Sequence, residues 1–186
     1  MKAKDRRFIK TEVVIKKSMI NLLCEMNAEQ IQIDDLIYEA DINKSTFYLH
    51  YQSLDLLVSS LEDEIISILT INLNELPANV SRYVFFEKIF EILKNNQKLS
   101  KAVLNASTYR FNNKIEDFGK NYLIPAPSKK RNRLVSNIEF LETSLIQSIV
   151  SVYRVWIFDS CKFSIDELVQ TLIDLSSNII YKDLYR

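Results

Sequence analysis

Residues 31–51 have the sequence IQIDDLIYEADINKSTFYLHY, which contains the most informative pattern of the chain. The first half repeats apolar residues at the spacing of one helical face, which predicts a short helix over 33–40. A three-residue turn follows and ends at Asn43, which is a good N-cap for a second short helix that runs to about Tyr51. Phe47 and Tyr51 are four residues apart and therefore share the inward face of that second helix. The stretch predicts two short helices joined by a tight turn.

Longer amphipathic segments flank this pair of helices. Apolar residues recur at helical spacing from Phe8 to Met26, which predicts a long first helix. They recur again over four turns of a predicted fourth helix, which Ser53 can cap and which ends before Pro77. The composition changes near the middle of that fourth helix, without a flexible linker. Further helices are predicted over 80–95, 97–107, 109–122 and 134–159, and from a capping box at Ser164–Glu167 onward.

The overall composition favours an all-α fold. The 186 residues have room for one domain, or for a small head and a larger body, and 47% of them are hydrophobic, as in globular proteins. One glycine and three prolines are too few for the turns of an all-β or Rossmann-like protein. With Gly119 as the only glycine, a glycine-rich phosphate-binding loop is excluded as well.

Charge, cysteine and histidine content exclude several classes of function. The 24 basic and 24 acidic residues balance, so no global field indicates a nucleic acid or a membrane as partner. Cys24 and Cys161 lie far apart among apolar residues, which predicts reduced core thiols in a reducing compartment. With His50 as the only histidine, we expect no enzymatic activity, no metal site and no cofactor. Because neither a secretory signal nor a membrane-spanning stretch is present, we expect a cytoplasmic protein.

The paired short helices have the layout of a helix-turn-helix, which can place its second helix in the major groove of DNA. Such pairs also occur in helical bundles that bind no DNA, so periodicity alone leaves both interpretations open. The order of residues from Ala40 to Tyr51 is more specific: alanine before the turn, a branched residue, Ser-Thr-Phe-Tyr, then histidine and an aromatic residue. Over about Thr11 to Leu61 the chain resembles the DNA-binding region of TetR-family transcriptional regulators.

The resemblance implies an N-terminal three-helix DNA-binding domain over residues 1–53. It also implies a larger helical domain for effector binding and dimerisation over residues 54–186. The segment 134–159 is apolar on more than one side, so we expect it to be buried partly by a second copy of the chain. Together with residues 164–185 it would form a homodimer, and two recognition helices about one DNA turn apart would require a palindromic operator.

Carried over position by position, the resemblance implies a set of DNA-binding residues on the helix-turn-helix. The candidates are Asn43, Lys44 and Ser45 for base edges, Thr46, Tyr48 and His50 for phosphates, and Gln32 at the start of the preceding helix. Lys44 is the best candidate for direct readout because its ammonium can donate to guanine O6 and N7. Packing is the alternative role for the rings of Tyr48 and His50, and helix initiation is the alternative role for Ser45 and Thr46.

Local charge divides the N-terminal region into a basic and an acidic part. Residues 1–17 contain seven basic and two acidic residues and have a net charge of +5. They include Arg6 and Arg7, which a flexible arm could place against phosphates or in a minor groove. Residues 18–60 contain one basic and seven acidic residues and have a net charge of −6. We therefore expect DNA binding that depends strongly on salt.

The resemblance also favours a repressor that a small hydrophobic effector releases from DNA. Aromatic residues are concentrated in the middle of the chain, where they could line an effector pocket or simply form the core. A second function stays open. Because Asp34 and Leu54 occupy positions at which the family often has basic residues, the head could have lost DNA affinity. The protein would then act through its body, by sensing a ligand or contacting another protein.

Overall fold

The computed structural model describes residues 6–77, 79–106, 109–122 and 135–176, and every regular element in these ranges is helical. The elements are α1 (Arg6–Glu25), a 3-10 turn (Ala28–Gln30), α2 (Ile33–Glu39), α3 (Lys44–His50), α4 (Leu54–Asn74), α5 (Arg82–Asn95), α6 (Gln97–Ala106), α7 (Tyr109–Tyr122), α8 (Val135–Phe158) and α9 (Ile165–Ser176). The predicted all-α fold class is confirmed.

The chain divides into two compact units. The first comprises the residues up to Ile65 together with Asn96–Phe111, and the second comprises Ile66–Asn95 and the residues from Asn112 onward. Both units therefore contain part of α4, which passes from one to the other after Ile65.

Helix α1 forms the centre of the first unit and packs against α2 and α6. Its residues Ile15, Met19 and Leu23 are fully buried, at the helical spacing expected for one inward face. The side-chain amide of Asn105 on α6 donates to the carbonyl oxygens of Leu23 and Met26, at 2.7 and 3.2 Å. These bonds satisfy carbonyl groups at the end of α1 that have no partner within the helix.

An ion pair joins α4 to the start of α7 within the first unit. The side chain of Glu62 is 0% exposed, and its Oε2 lies 3.5 Å from Nε of Arg110. The guanidinium of Arg110 also donates to the carbonyl oxygen of Asp55, at 3.2 Å. Arg110 thus contacts α4 at two points that lie two helical turns apart.

We expect the substitution Arg110→Met to lower the free energy of unfolding by about 2 kcal/mol, because it leaves the buried carboxylate of Glu62 facing an uncharged side chain. Urea denaturation followed by circular dichroism measures the change. The double variant Glu62→Gln, Arg110→Met is the control, and it should recover most of the loss because it also removes the charge. A stability of the single variant within about 0.5 kcal/mol of the wild type, the usual range for surface substitutions, would contradict this role for Arg110.

Aromatic packing organises the second unit, in which α9 packs against α5 and α8. The ring of Phe90 meets the indole of Trp156 edge to face, with 5.6 Å between centroids. Nε1 of Trp156 donates to the carbonyl oxygen of Phe163, at 2.8 Å, so the buried indole has its hydrogen bond. Gly119 on α7 lies against Ile146 on α8, where an added Cβ would be 2.6 Å from the isoleucine side chain. The single glycine of the chain therefore permits this close helix contact.

The prediction of two core thiols is wrong. Cys24 is exposed and Cys161 is half-buried, and both are reduced thiols. Cys24 follows the buried Leu23 on α1 and lies on the flank of the inward face, where its Sγ donates to the carbonyl oxygen of Lys98 on α6, at 3.5 Å. Cys161 lies in the turn after α8, in a left-handed conformation with φ of 56°. Apolar neighbours in the sequence therefore do not establish that a cysteine is buried.

Candidate nucleic-acid interface

The turn between α2 and α3 fixes the direction of the second helix. Asp41 adopts a left-handed conformation with φ of 50°, which a short polar side chain tolerates better than a branched one. The amide of Ile42 donates to the carbonyl oxygen of Ile37, at 3.1 Å, and closes the turn. Helices α2 and α3 therefore form the compact helix-turn-helix that the sequence predicts.

Asn43 caps α3 and organises its first turn, as predicted. Its Oδ1 accepts hydrogen bonds from the amide of Thr46 at 2.8 Å, from the hydroxyl of Thr46 at 2.8 Å and from the hydroxyl of Ser45 at 2.7 Å. The hydroxyl hydrogens of both residues thus point to the cap in the free protein. Donation from Thr46 to a phosphate would require its bond to Asn43 to break.

Helix α3 presents a defined outer face. Phe47 is 0% exposed and anchors the inner face against the core of the first unit. Lys44, Ser45, Tyr48 and Leu49 are all exposed, and the first three are among the predicted DNA-binding residues. At 3.6 residues per turn, positions 45 and 49 lie almost opposite Phe47. They therefore lie on the side of α3 that faces away from the core of the first unit.

His50 lies at the end of α3 and is packed against α1. Its ring stacks on that of Phe8, with 3.9 Å between centroids and 23° between planes. The imidazole is half-buried in this position. Of the candidate phosphate ligands, His50 thus has a packing role in the free protein, whereas Tyr48 is exposed.

Two acidic residues lie at the start of α2, and they differ in their contacts. A carboxylate oxygen of Asp35 accepts a hydrogen bond from the amide of Gln32, at 2.8 Å, and so helps to begin the helix. The exposed Oδ1 of Asp34 lies 3.9 Å from Nζ of Lys44. An exposed pair of this kind contributes about 0–1 kcal/mol, so Lys44 is released at little cost.

The prediction of a flexible basic arm is wrong from Arg6 onward. Arg6 and Arg7 form the first turn of α1 and are exposed there, so they are not part of an extended segment that could follow a groove. The hydroxyl of Thr11 donates to the carbonyl oxygen of Arg7, at 2.9 Å, within the helix. Helix α1 thus begins two residues before the predicted start at Phe8. Residues 1–5 of the predicted arm lie outside the described residues.

A polar network between α1 and α4 supports the helix-turn-helix. Nζ of Lys16 donates to a carboxylate oxygen of Glu64, at 2.7 Å. Burial lowers the pKa of Lys16, but the hydrogen bond and the charge of Glu64 more than offset it, and the pKa lies above its usual range. Nearby, the hydroxyl of Tyr51 accepts from Ser60 and donates to Glu12, each at 3.4 Å. These bonds join α1 and α4 around the end of α3.

Two exposed residues of this region were not among the residues predicted to bind DNA. Tyr38 on α2 is 89% exposed, and Leu49 on α3 is 75% exposed. The signal for Leu49 was present, because it is an apolar residue two positions after Phe47 on a helix whose inward face Phe47 already defines.

A second surface with exposed apolar residues lies on α8 and α9. Val155 is 66% exposed, and Phe158 and Phe163 are each about half exposed. Val155, Trp156 and Leu168 contribute to an apolar groove with a volume of about 390 Å³. Apart from Phe163, the residues that line the groove fall within the segments predicted to form the dimer. Residue 134 and residues 177–185 of those segments lie outside the described residues.

Two classes of site were not found in the described part of the chain. No helix there is both long and apolar enough to cross a membrane. The same residues contain no group of three or more His, Cys, Asp or Glu side chains that could hold a metal ion.

Comparison with known proteins identifies the family. The sequence model TetR_C_8, described as the C-terminal region of transcriptional regulators, matches residues 83–178, which is just over half of the chain. The chain belongs to the TetR family of transcriptional regulators. No curated protein sequence matches this TetR-family chain significantly.

Solved structures of TetR regulators share the fold over nearly the whole length. A TetR transcriptional regulator from Streptococcus agalactiae 2603V superposes with a TM-score of 0.70 at 22% identity, over 92% of this chain and 96% of that one. A TetR-family protein from Syntrophomonas wolfei has a TM-score of 0.62 at 12% identity, with the same two coverages. The fatty acid degradation regulator FadR from Bacillus halodurans has a TM-score of 0.59 at 18% identity, over 94% and 96%. This TetR-family protein therefore shares the fold of these three regulators over at least 92% of its length.

Proposed function

We propose that this TetR-family protein binds a palindromic DNA operator as a homodimer and represses transcription. In this proposal residues 1–53 form the DNA-binding domain, and residues 54–186 form the effector-binding and dimerisation domain. The observation that carries it is the outer face of α3, where Lys44, Ser45 and Tyr48 are exposed while Phe47 fixes the helix in the core. A helix so anchored can enter the major groove with those side chains facing the base edges.

The proposed contacts divide into two classes. Lys44 and Ser45 face base edges, and Tyr48 together with residues at the ends of α2 and α3 faces phosphates. Gln32 at the N-cap of α2 and His50 at the end of α3 are the candidates at those ends, and Arg6 and Arg7 add charge from the exposed first turn of α1. Asn43 acts by holding α3 in position, because its side-chain oxygen is occupied by the cap.

The exposed apolar residues of α8 and α9 support the proposed homodimer. A second copy of the same surface would bury Val155, Phe158 and the groove beside them. In the dimer the two α3 helices would occupy successive major grooves, about 34–36 Å apart, on one side of the duplex. That spacing is the reason for the palindrome in the proposed operator.

We also propose that a small hydrophobic effector binding in the body releases the protein from DNA. Helix α4 begins four residues after α3 and continues past Ile65 into the second unit. A displacement of α4 would therefore move α3 and change the separation of the two DNA-binding helices. The buried rings of Phe86 and Phe90 fit a packed core, so no individual aromatic residue is proposed as an effector contact. For a regulator of this kind, the proposed location is the cytoplasm.

Selection from a randomised duplex library with the full-length protein tests the function. We expect enrichment of a palindrome, and fluorescence anisotropy should then show affinity that falls steeply as the salt concentration rises. A scrambled duplex of the same composition is the control. Affinity for the selected duplex that does not change with salt would contradict binding through the proposed phosphate contacts.

A second function has its own support in the acidic head. The exposed carboxylate of Asp34 lies beside Lys44, and residues 18–60 have a net charge of −6. Both features oppose the approach of a polyanion. If the library selection enriches no sequence, the protein is instead a ligand-sensing or protein-binding member of the family.

A further inference from the structure

The stability of the folded chain does not explain why residue 49 on α3 is a leucine. Leu49 lies two residues after Phe47 on α3, at about 200° around the helix axis, and so points directly away from the core. Its side chain is 75% exposed, whereas Phe47 is 0% exposed. A leucine at this position contributes little burial to the folded chain, but it is the most projecting apolar group of the helix.

The neighbours of Leu49 on the outer face restrict how α3 can read DNA. Ser45 lies one turn before it, and the hydroxyl of Ser45 donates to Asn43, at 2.7 Å. Lys44, the one basic residue in residues 18–60, lies on the flank of the same face, with its Nζ 3.9 Å from Oδ1 of Asp34. The centre of the face therefore offers an apolar group and an engaged hydroxyl, with a single ammonium beside them.

The chemistry of base pairs selects the group that matches such a surface. Of the four bases, thymine alone exposes an apolar substituent, its C5-methyl group, in the major groove. The other bases present hydrogen-bond donors and acceptors there, which a leucine would desolvate without replacing their bonds.

We infer that Leu49 determines sequence specificity by packing against the C5-methyl group of one thymine in each operator half-site. This inference rests on the proposed DNA-binding function and names the base that the centre of the outer face recognises. Lys44 takes a neighbouring guanine, so each half-site contains a thymine next to the guanine position.

Replacement of thymine by deoxyuridine tests the contact, because it removes the methyl group and leaves every hydrogen-bonding group in place. Each thymine of the library-selected duplex is replaced in turn, and the affinity is measured by fluorescence anisotropy. We expect the affinity of the wild-type protein to fall about fourfold when one particular thymine of a single half-site is replaced. The affinity should fall about 15-fold when the equivalent thymine is replaced in both half-sites. The variant Leu49→Ala should bind the thymine duplex more weakly and should bind the thymine and deoxyuridine duplexes equally.

Leu56→Ala is the matched control, since Leu56 is an exposed leucine on α4 outside the recognition helix. This variant should retain the wild-type sensitivity to deoxyuridine. The inference is overturned if the wild-type protein binds all deoxyuridine duplexes with unchanged affinity, or if Leu49→Ala keeps the full sensitivity. Both results require a selected duplex, so they are distinct from failure of the proposed function, in which no sequence is enriched.

Discussion

Replacement of Val155 by aspartate should convert the dimer to a monomer and weaken operator binding by about 100-fold or more, since a dimer gains affinity from its second half-site through effective concentration. Val155 is 66% exposed on α8 and lines the apolar groove beside α9. In the proposed homodimer this face is covered by the partner, and an aspartate there would lose its hydration on an apolar surface. Because the side chain is exposed in the single chain, the monomer itself should stay folded.

Sedimentation velocity at micromolar concentration measures the change in mass, and fluorescence anisotropy with the selected duplex measures the affinity. Val84→Asp is the matched control, because Val84 is an exposed valine on α5, outside the proposed interface. We expect it to remain dimeric and to bind DNA within about twofold of the wild type, in keeping with the small effects of most surface substitutions. A Val155→Asp protein that sediments as a dimer would place the interface elsewhere.

Those features of the fold that depend on neighbouring residues were predictable from sequence. Asn43 caps α3, and Ser164 and Glu167 exchange the reciprocal hydrogen bonds of a capping box at the start of α9. The hydrogen bonds of Ser164 also hold the pKa of Glu167 below its usual range. Caps of this kind involve groups within three residues of each other, so the sequence contains all of the necessary information.

Contacts between segments that lie far apart in the sequence were not predictable, because they depend on which helix covers a given face. Helical periodicity identified the inward face of α1, but not the contact of that helix with α6 through Asn105. The pairing of Glu62 with Arg110 joins residues 48 positions apart, and nothing in either segment indicates the other. The same limit explains the error at Cys24, because apolar neighbours in sequence do not establish that a residue lies on a covered face.

The candidate interface shows the same division between local and long-range information. The motif predicted which residues of α3 face outward, and Lys44, Ser45 and Tyr48 are exposed as expected. It did not predict that the ring of His50 would stack on Phe8, because that contact depends on how α1 crosses α3. It also did not predict that Arg6 would be helical, since a run of basic residues is compatible with both an extended arm and a first helical turn.

The second large effect is expected at Lys44, which is the single basic residue in residues 18–60. We expect Lys44→Met to reduce affinity for the selected duplex by about 30-fold or more, at about 1 kcal/mol or more for each of two base contacts. The affinities of the wild-type protein and the variant are compared on duplexes in which one base pair at a time is changed. The variant should lose its preference for guanine at one position of each half-site.

A matched lysine and a neighbouring acid separate base recognition from general attraction. Lys94→Met removes the same charge from α5 and should leave affinity within about twofold. Asp34→Asn should increase affinity for every duplex, because it removes a negative charge that lies 3.9 Å from the ammonium of Lys44, but it should not change which base is preferred. If Lys44→Met instead lowered the affinity for all duplexes equally, Lys44 would be a phosphate contact. The remaining outer residues of α3 would then be the ones that contact base edges.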